Sequence, residues 1–299
     1  MTGSLLYSPS PEEIARNVAA ALLEDIGDGD LSAQLITEKA IVQARVTSRE
    51  NAVLCGTDWF KCCFLQLDPS ITIVWNARDG ERVVPNATLC EIRGPAAPLL
   101  TGERAALNFL QLLSGVATKT RQFVDAIAGT RARIVDTRKT LPGLRHAQKF
   151  AVQCGGGLNH RHGLYDAVLI KENHILAAGG IRTAIESARK IAEKASGRGC
   201  RFIQVEVETL DELQDALDAG ITMILLDNMT PGEMLKAVDM AAGRASLEAS
   251  GNVTLDNVRQ IAETGVNRIS IGGLTKDVRA IDLSMRFFSD GEHLPQETL

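Results

Sequence analysis

The stretch RFIQVEVETLDELQDALDAGITMILLDNMTPGEMLKAVDMAAGRASLEASGNVTLDNVRQIAETGVNRISIGG (201–273) decides the fold. Short apolar segments in it end at residues 206, 227, 250 and 271, a spacing of 21–23 residues. That length accommodates one helix and one strand. Strands that alternate with helices indicate right-handed βαβ units around a parallel sheet.

The same alternation begins further upstream, near residue 131. The predicted strands are 131–136, 166–171, 201–206, 221–227, 246–250 and 267–271, and the predicted helices are 144–154, 179–194, 209–219, 230–243 and 254–264. Six strands rather than eight favour an open, incomplete TIM-like α/β barrel. A doubly wound sheet is the structural alternative.

The first hundred residues follow a different pattern. Ser10 and Pro11 predict a helix start, and alternation over 41–49 predicts a half-buried strand. Further strands are expected at 52–55, 71–75 and 87–92, with a helix over 57–67. This mixture indicates a small α+β domain that ends near Pro98, before a long helix that opens at Thr101.

Composition excludes several classes of protein. A formal net charge of -5 over 299 residues argues against general affinity for nucleic acid or for an anionic membrane. We find no signal-peptide pattern and no apolar run of membrane-spanning length, so we expect a cytoplasmic protein. Six scattered cysteines without a CxxC pair indicate reduced thiols in or near the core, at Cys55, Cys62, Cys63, Cys90, Cys154 and Cys200.

Polar residues follow each of the six predicted barrel strands. These strand ends are Asp136–Lys139, Lys171–His174, Glu206–Glu208, Asp227–Asn228, Ser250–Asn252 and Gly272–Gly273. Because the carboxyl ends of parallel barrel strands meet at one mouth, where such enzymes keep their active sites, we expect one shared site.

Two of the ends are rich in glycine and belong to the last two strands. Ser250-Gly251-Asn252 and Ile271-Gly272-Gly273 each precede a predicted helix, the place where barrels often bind phosphate through main-chain N–H groups. Tight βα turns without a ligand are the alternative interpretation.

Charged side chains at the other ends suggest an anionic substrate. Glu206 and Asp227 end adjacent strands and could hold Mg²⁺ on a phosphorylated substrate, or could form salt bridges to basic neighbours. The expected cations are Arg138, Lys139, Arg161 and Lys171, with Arg145, His160 and His162 nearby. Crowded cations repel one another unless an anion is bound, although basic residues more commonly form a solvated face.

Two further interpretations remain at this point. Lys171 could form the Schiff base of an aldolase, but that reaction explains neither the arginines nor the paired acids. His160 and His162 could be metal ligands, but the sequence offers no third ligand nearby.

These same residues closely resemble the quinolinate phosphoribosyltransferase (nicotinate-nucleotide pyrophosphorylase, carboxylating) family. The resemblance spans nearly the whole chain from residue 100 onward. The matching stretches are GERAALNFLQLLSGVAT (102–118), DTRKTLPGLR (136–145), KFAVQCGGGLNHRHGLYDAVLIKENHI (149–175), VEVETLDE (205–212), LLDN (225–228), EASGNVT (248–254) and ETGVNRISIGGLTK (263–276). The segment 21–36 is similar but less diagnostic, and Asn252 and Gly273 stand where glycine and alanine are common.

The resemblance implies the conversion of quinolinate and phosphoribosyl pyrophosphate into nicotinate mononucleotide, pyrophosphate and CO₂, with Mg²⁺ and no organic cofactor. Nicotinate phosphoribosyltransferase activity without decarboxylation is the alternative, and a catalytically inactive nucleotide-binding barrel is an alternative from another class. The implied domains are an α+β sandwich (1–116), the catalytic barrel (117–275) and a C-terminal segment (276–299) that packs back on the sandwich.

The resemblance also implies roles for individual residues. Those implied to hold the two carboxylates and part of the phosphates are Arg104, Thr137, Arg138, Lys139, His160, Arg161 and Lys171. Those implied to form the 5′-phosphate cradle are Ser250, Gly251, Asn252, Ile271, Gly272 and Gly273. The implied catalytic residues are Lys139, Lys171, Glu206 and Asp227, with Glu206 and Asp227 at the metal. A homodimer, with a higher oligomer left open, is expected to share its active sites, with Arg104 reaching the partner's barrel.

Overall fold

A computed structural model of the chain describes residues 8–36, 40–194 and 199–288. The helices in these ranges are α1 (Pro11–Ile26), α2 (Thr57–Leu67), α3 (Ala96–Ala126), α4 (Arg145–Cys154), α5 (Glu172–Ala178), α6 (Ile181–Lys194), α7 (Leu210–Asp218), α8 (Pro231–Ala241), α9 (Val258–Glu263) and α10 (Gly273–Lys276). The strands are β1 (Ile41–Ser48), β2 (Ala52–Val53), β3 (Thr72–Trp75), β4 (Arg82–Val83), β5 (Thr88–Pro95), β6 (Arg133–Val135), β7 (Val168–Ile170), β8 (Ile203–Val207), β9 (Met223–Asp227), β10 (Ser246–Ser250), β11 (Arg268–Ser270) and β12 (Leu283–Phe288).

The chain forms two compact units. Unit 1 comprises the described residues up to Thr118, residues His146–Gly155 and the described residues from Val278 onward. Unit 2 comprises the described residues of Lys119–Arg145 and Gly156–Asp277.

Unit 1 is built around an antiparallel sheet with the strand order β12-β1-β5-β3. Its last strand comes from the far end of the chain, since β12 pairs with β1 from Gln43↔Phe288 to Ser48↔Leu283. Helix α1 begins as the sequence predicts: the Ser10 hydroxyl accepts a hydrogen bond from the amide of Glu13 at 3.3 Å. Of the C-terminal segment expected to pack on this domain, residues 289–299 lie outside the described residues.

Helix α4 belongs to unit 1, although the sequence-based division placed it in the barrel segment. The ring of Phe150 lies 6.0 Å from the ring of Trp59, a fully buried residue of α2. Ala147, Ala151 and Val152 of α4 are buried as well. An amphipathic period predicts a helix, but it does not specify against which hydrophobic surface the apolar face of that helix packs. Only the tertiary packing therefore shows to which unit α4 belongs.

A half-buried carboxylate in unit 1, Asp79, gives a prediction about stability. Asp79 accepts hydrogen bonds from the amides of Gly56 and Thr57 at 3.1 and 3.2 Å, where α2 begins. Burial outweighs these bonds and raises the pKa of Asp79 to about 6 from 3.8. The folded state therefore binds this proton more tightly than the unfolded state, and the stability that the proton contributes is lost as the pH rises from about 4 to above 6.

Asp79→Asn keeps the acceptor oxygen and removes the charge. The unfolding free energy of the variant, relative to that of the parent, is therefore expected to increase as the pH rises from 4 to 7. Urea denaturation of both proteins across this range measures the difference. A pH-independent difference would contradict the assignment.

Unit 2 contains a six-stranded parallel sheet with the order β6-β11-β10-β9-β8-β7. The last strand of the unit, β11, pairs with the first, β6, from Arg268↔Arg133 to Ser270↔Val135. This pairing closes the sheet back towards its beginning, as in a barrel, whereas a doubly wound sheet grows outward in both directions. Strand β6 also forms a parallel bridge from Val135 to Leu158, and among the described residues no ladder joins β7 to this edge. The open TIM-like barrel is confirmed and the doubly wound alternative is excluded.

The cysteines lie in or near the core, as the sequence predicts. All six cysteines are free thiols, and Cys55, Cys63, Cys90 and Cys154 are buried. Within the described ranges, no helix combines the length and the apolar character that crossing a membrane requires.

Candidate functional site

A cavity of about 650 Å³ opens at the carboxyl ends of the barrel strands of unit 2. Fourteen of the fifteen residues predicted to bind substrate line it: Thr137, Arg138, Lys139, His160, Arg161, Lys171, Glu206, Asp227, Ser250, Gly251, Asn252, Ile271, Gly272 and Gly273. The fifteenth, Arg104, is an exposed residue of α3 in unit 1 and is absent from this lining.

The alternation of the strands explains why these residues meet. Side chains two positions apart on a strand point to the same face. The interior pairs are Leu169 and Lys171, Gln204 and Glu206, Leu225 and Asp227, Glu248 and Ser250, and Ser270 and Gly272. The second residue of each pair lies at the mouth of the barrel. The first residue lies one layer deeper, and together these deeper residues form the floor of the barrel mouth. The polar floor residues Glu248 and Ser270 also line the cavity, and sequence reasoning missed them.

Glu206 and Lys171 form the central ion pair. The ammonium of Lys171 donates to both carboxylate oxygens of Glu206, at 2.8 and 2.7 Å. Glu206 is 8% exposed, and burial raises its pKa. Hydrogen bonding to Lys171 opposes this rise, and the negative charge of Asp227 adds to it. Glu206 is thus a desolvated carboxylate beside a second acid.

The cations of the cavity are crowded. Arg161 is 7% exposed, and burial lowers the pKa of its guanidinium, with the charge of Arg138 as the second cause. The guanidinium donates to the carbonyl of Ala167 at 3.4 Å. Such an arrangement is costly in the absence of an anion, so it favours an anionic ligand.

The loop that carries His160 and Arg161 is held from beneath by Asp136. The carboxylate of Asp136 is fully buried and accepts hydrogen bonds from the Asn159 amide group at 2.6 Å and the His160 main chain at 2.9 Å. Asp136, which the sequence grouped with the polar strand ends, therefore has a structural role.

Arg145 and His162, the two other basic residues predicted near the site, lie outside the cavity lining. Arg145 donates to the Thr140 hydroxyl at 3.1 Å and to the His162 carbonyl at 3.2 Å. The described residues contain no cluster of three or more His, Cys, Asp or Glu side chains suited to a metal ion. The interpretation of His160 and His162 as a metal pair therefore gains no support.

The turn after β10 requires glycine at position 251. Gly251 has φ +103°, and a Cβ atom there would lie 2.1 Å from Oδ1 of Asn228. Asn252, which replaces a common glycine, has φ 48°, a left-handed conformation that asparagine tolerates better than most residues. Asparagine at position 252 is therefore compatible with the left-handed backbone of this turn.

The turn after β11 forms hydrogen bonds with two segments that are distant in sequence, at Lys119 and at Lys139. The ammonium of Lys119 donates to the carbonyls of Gly273 and Asp277 at 2.8 and 2.9 Å. The Thr275 hydroxyl donates to the carbonyl of Lys139 at 2.7 Å. Sequence reasoning missed Lys119, because it lies on α3 and nothing local connects it with the turn.

The remaining lining residues that the sequence did not single out are Leu169, Leu225, Val253, Lys276 and Asp277; Asn228 belongs to the predicted strand end Asp227–Asn228. Lys276 and Asp277 form an exposed ion pair at 2.7 Å. The signal that could have found Leu169, Leu225, Glu248 and Ser270 is their position two residues before a predicted strand-end residue.

Comparison with known proteins identifies the family. A model of the quinolinate phosphoribosyl transferase C-terminal domain matches residues 116–286, and a model of the N-terminal domain matches residues 30–114. The chain belongs to the quinolinate phosphoribosyltransferase family. This membership and the ion-paired Lys171 both count against a Schiff-base aldolase.

Individual members of the quinolinate phosphoribosyltransferase family are similar over most of their length. A probable nicotinate-nucleotide pyrophosphorylase (carboxylating) of Bacillus subtilis is 40% identical over 88% of this chain and 89% of its own. A chloroplastic nicotinate-nucleotide pyrophosphorylase (carboxylating) of Oryza sativa subsp. japonica is 42% identical over 89% and 75%. The solved nicotinate-nucleotide pyrophosphorylase of Francisella tularensis is 42% identical with a TM-score of 0.91, over 96% of this chain and 100% of its own.

A solved human nicotinic acid phosphoribosyltransferase is only 12% identical with a TM-score of 0.58, over 98% of this chain and 77% of its own. That likeness concerns the fold alone.

Proposed function

We propose that the cavity of unit 2 is the active site of a quinolinate phosphoribosyltransferase. The enzyme transfers phosphoribosyl from phosphoribosyl pyrophosphate to quinolinate, and it releases pyrophosphate and CO₂ to give nicotinate mononucleotide for NAD biosynthesis. The observation that carries the proposal is the convergence of cations, carboxylates and two glycine turns on one cavity in a chain of this family.

The acceptor, quinolinate, is a planar dianion. The guanidinium groups of Arg138 and Arg161 suit its carboxylates because each can donate two parallel hydrogen bonds. Lys139 and Lys171 add compact positive charges in the same cavity. The main-chain amides around Gly251 and Gly272 suit the 5′-phosphate of the donor.

The chemistry follows the development of charge. Breaking the bond between the ribose and pyrophosphate places positive charge on the anomeric carbon and the ring oxygen. Glu206 and Asp227 are the carboxylates in the cavity that can stabilise this cation. The pyridine nitrogen of quinolinate then forms the new bond and becomes positive. The carbon–carbon bond to the adjacent carboxylate breaks, CO₂ leaves, and the electron pair remains on the ring carbon beside the positive nitrogen. That carbon then takes a proton from solvent, which gives nicotinate mononucleotide.

Mg²⁺ fits this cavity as an ion carried by the pyrophosphate group. Both oxygens of Glu206 already accept hydrogen bonds from Lys171, which leaves few protein ligands for a resident ion. Magnesium sites on phosphorylated substrates commonly need only one or two carboxylates, and Glu206 and Asp227 are the pair that would hold it. When bound, the ion would neutralise charge on the departing pyrophosphate.

The direct test is incubation of the protein with quinolinate, phosphoribosyl pyrophosphate and Mg²⁺. We expect pyrophosphate and CO₂ to be released in equal amounts. Folded protein without turnover would refute the proposal. Nicotinate offered in place of quinolinate tests the alternative activity, and we expect no product from it, because the crowded cations suit a dianion.

We further propose a cytoplasmic homodimer in which Arg104 of one subunit completes the partner's cavity. The supporting observations are the six free thiols and the exposed position of Arg104 on α3. Neither nucleic acid nor membrane is among the proposed partners, in keeping with the net charge of -5.

Arg104→Ala is expected to lower kcat/KM by on the order of 100-fold, because a charge-assisted contact to an anionic substrate is lost. The melting temperature should change little, since the side chain is exposed. Arg104→Ala protein mixed with Lys139→Ala protein should recover activity, because a mixed dimer would contain one intact site. Absence of recovery after subunit exchange has been verified would refute site sharing.

A further inference from the structure

His160 lies in the cavity wall with both ring nitrogens engaged inside the protein. It is 6% exposed, and its Nδ1 accepts a hydrogen bond from the main-chain N–H of Arg161 at 2.8 Å. A main-chain amide can only donate, so Nδ1 carries no proton. The proton of the neutral ring is therefore on Nε2, which lies 2.7 Å from Oε1 of Gln204.

The orientation of Gln204 follows from the same accounting. If its amide were turned round, an NH₂ group would face the protonated Nε2, and two donors would oppose each other. Gln204 is fully buried, so such a clash could not be relieved by water. The ring is also held at its side, since Phe202 packs edge-on against it with 5.2 Å between ring centroids.

Glu248 places a negative charge on the buried side of the ring. Its Oε1 lies 3.7 Å from Nε2 of His160, and its Oε2 lies 3.0 Å from Nε of Arg268 on the neighbouring strand. Glu248 is 1% exposed, so its field is poorly screened. That field attracts the N–H of Nε2 and favours this tautomer over the alternative one.

We infer that Gln204 and Glu248 are positioning residues that hold His160 as the neutral Nε2–H tautomer, so that Nδ1 fixes the main chain of Arg161. His160 thus orients a cation instead of adding a positive charge to the cavity, in contrast to the role that the family resemblance implied. The consequence for affinity rests on the proposed function, because it takes Arg161 to bind the quinolinate dianion.

The first experiment observes the tautomer directly, without any substrate. Nitrogen NMR of ¹⁵N-histidine-labelled protein at neutral pH, with the His160 signals identified by their loss in His160→Asn, should show a protonated Nε2 and an unprotonated Nδ1. A proton on Nδ1, alone or together with one on Nε2, would overturn the inference. Failure of the proposed function would leave this measurement unaffected.

The second experiment measures quinolinate binding by calorimetry. Gln204→Met removes the acceptor at similar volume and is expected to raise the Kd for quinolinate by on the order of tenfold. Gln204→Glu retains an acceptor oxygen and should stay within about threefold of the parent, and Glu248→Gln should raise the Kd about fivefold.

The matched control is Gln214→Met, the same substitution at an exposed position of α7, which should change nothing. Equal Kd values for Gln204→Met and Gln204→Glu would show that the hydrogen bond to His160 has no positioning role. An unchanged Kd in Glu248→Gln would show that Glu248 takes no part in positioning His160. Parent protein that binds no quinolinate would refute the proposed function, and the NMR result would still decide the tautomer.

Discussion

Replacing Glu206 by glutamine is expected to lower kcat by on the order of 10³-fold, the usual effect of removing one preorganised electrostatic group from a desolvated active site. Glu206 is 8% exposed and is more buried than Asp227, the other acid assigned to the reacting ribose. Its charge acts mainly on the cationic transition state, so the KM for phosphoribosyl pyrophosphate should change far less than kcat. Lys171, whose side chain is 44% exposed, can be hydrated when its partner is lost, so the fold should survive.

The control is Glu208→Gln, the same change on an exposed residue two positions further along, outside the cavity lining. It should retain parental kcat. The pH dependence gives a second signature. Glu206 must be ionised to act, and burial raises its pKa. As the pH is lowered, the activity of the parent should therefore begin to fall at a higher pH than it would with an ordinary carboxylate, and Glu206→Gln should lack that decline. A threefold or smaller loss of kcat would contradict the assigned role.

Gly251→Ala is expected to lower kcat/KM for phosphoribosyl pyrophosphate by on the order of 100-fold, because displacing a binding group by about 1 Å has costs of this size. Rotation of the Asn228 side chain can relieve the contact of the added Cβ with Oδ1, but the 3.1 Å approach to Cα of Asn228 is to the main chain. Together with the φ of +103°, which alanine rarely adopts, this contact is expected to shift the turn and its amides. Steady-state kinetics with each substrate varied in turn should show that kcat/KM falls for phosphoribosyl pyrophosphate and much less for quinolinate.

Gly243→Ala separates backbone strain from displacement of the turn. Gly243 has φ +78°, yet a Cβ atom there would meet nothing within 4 Å. It follows α8 and lies outside the cavity lining. Both variants should lose stability by about 1–2 kcal/mol from the unfavourable φ, but only Gly251→Ala should lose donor affinity. Equal loss of activity in the two variants would mean that the turn does not form the phosphate cradle.

The barrel strands were predictable because their pattern is local. The predicted ends at 206, 227 and 250 agree with strands that end at Val207, Asp227 and Ser250. The mouth of the barrel was predictable for the same reason, since polar residues immediately after apolar runs are visible in one sequence. Glu206 and Asp227 could thus be placed at one site before any coordinates.

The floor of the barrel was not predictable in this way. Gln204 and Glu248 lie within strands, where a single polar residue gives no sign of its partner. Lys119 reaches Gly273 across 154 positions of the chain. His160 looked like one more cation, and only the amide of Arg161 shows that Nδ1 is an acceptor. Except for that last contact, between adjacent residues, these contacts depend on non-local packing, which a single sequence does not encode in any period.

By itself, the sequence determined most of the barrel strands and helices, which side chains share a strand face, and which residues lie at the barrel mouth; it did not predict α5 or β12. Only the tertiary structure decided that β11 pairs with β6, that α4 belongs to unit 1, and that His160 is held by Gln204 and Glu248. The physical reason is that backbone periodicity is set by neighbours a few residues apart. Strand closure and buried polar pairing are set by groups that meet only when distant parts of the chain pack together.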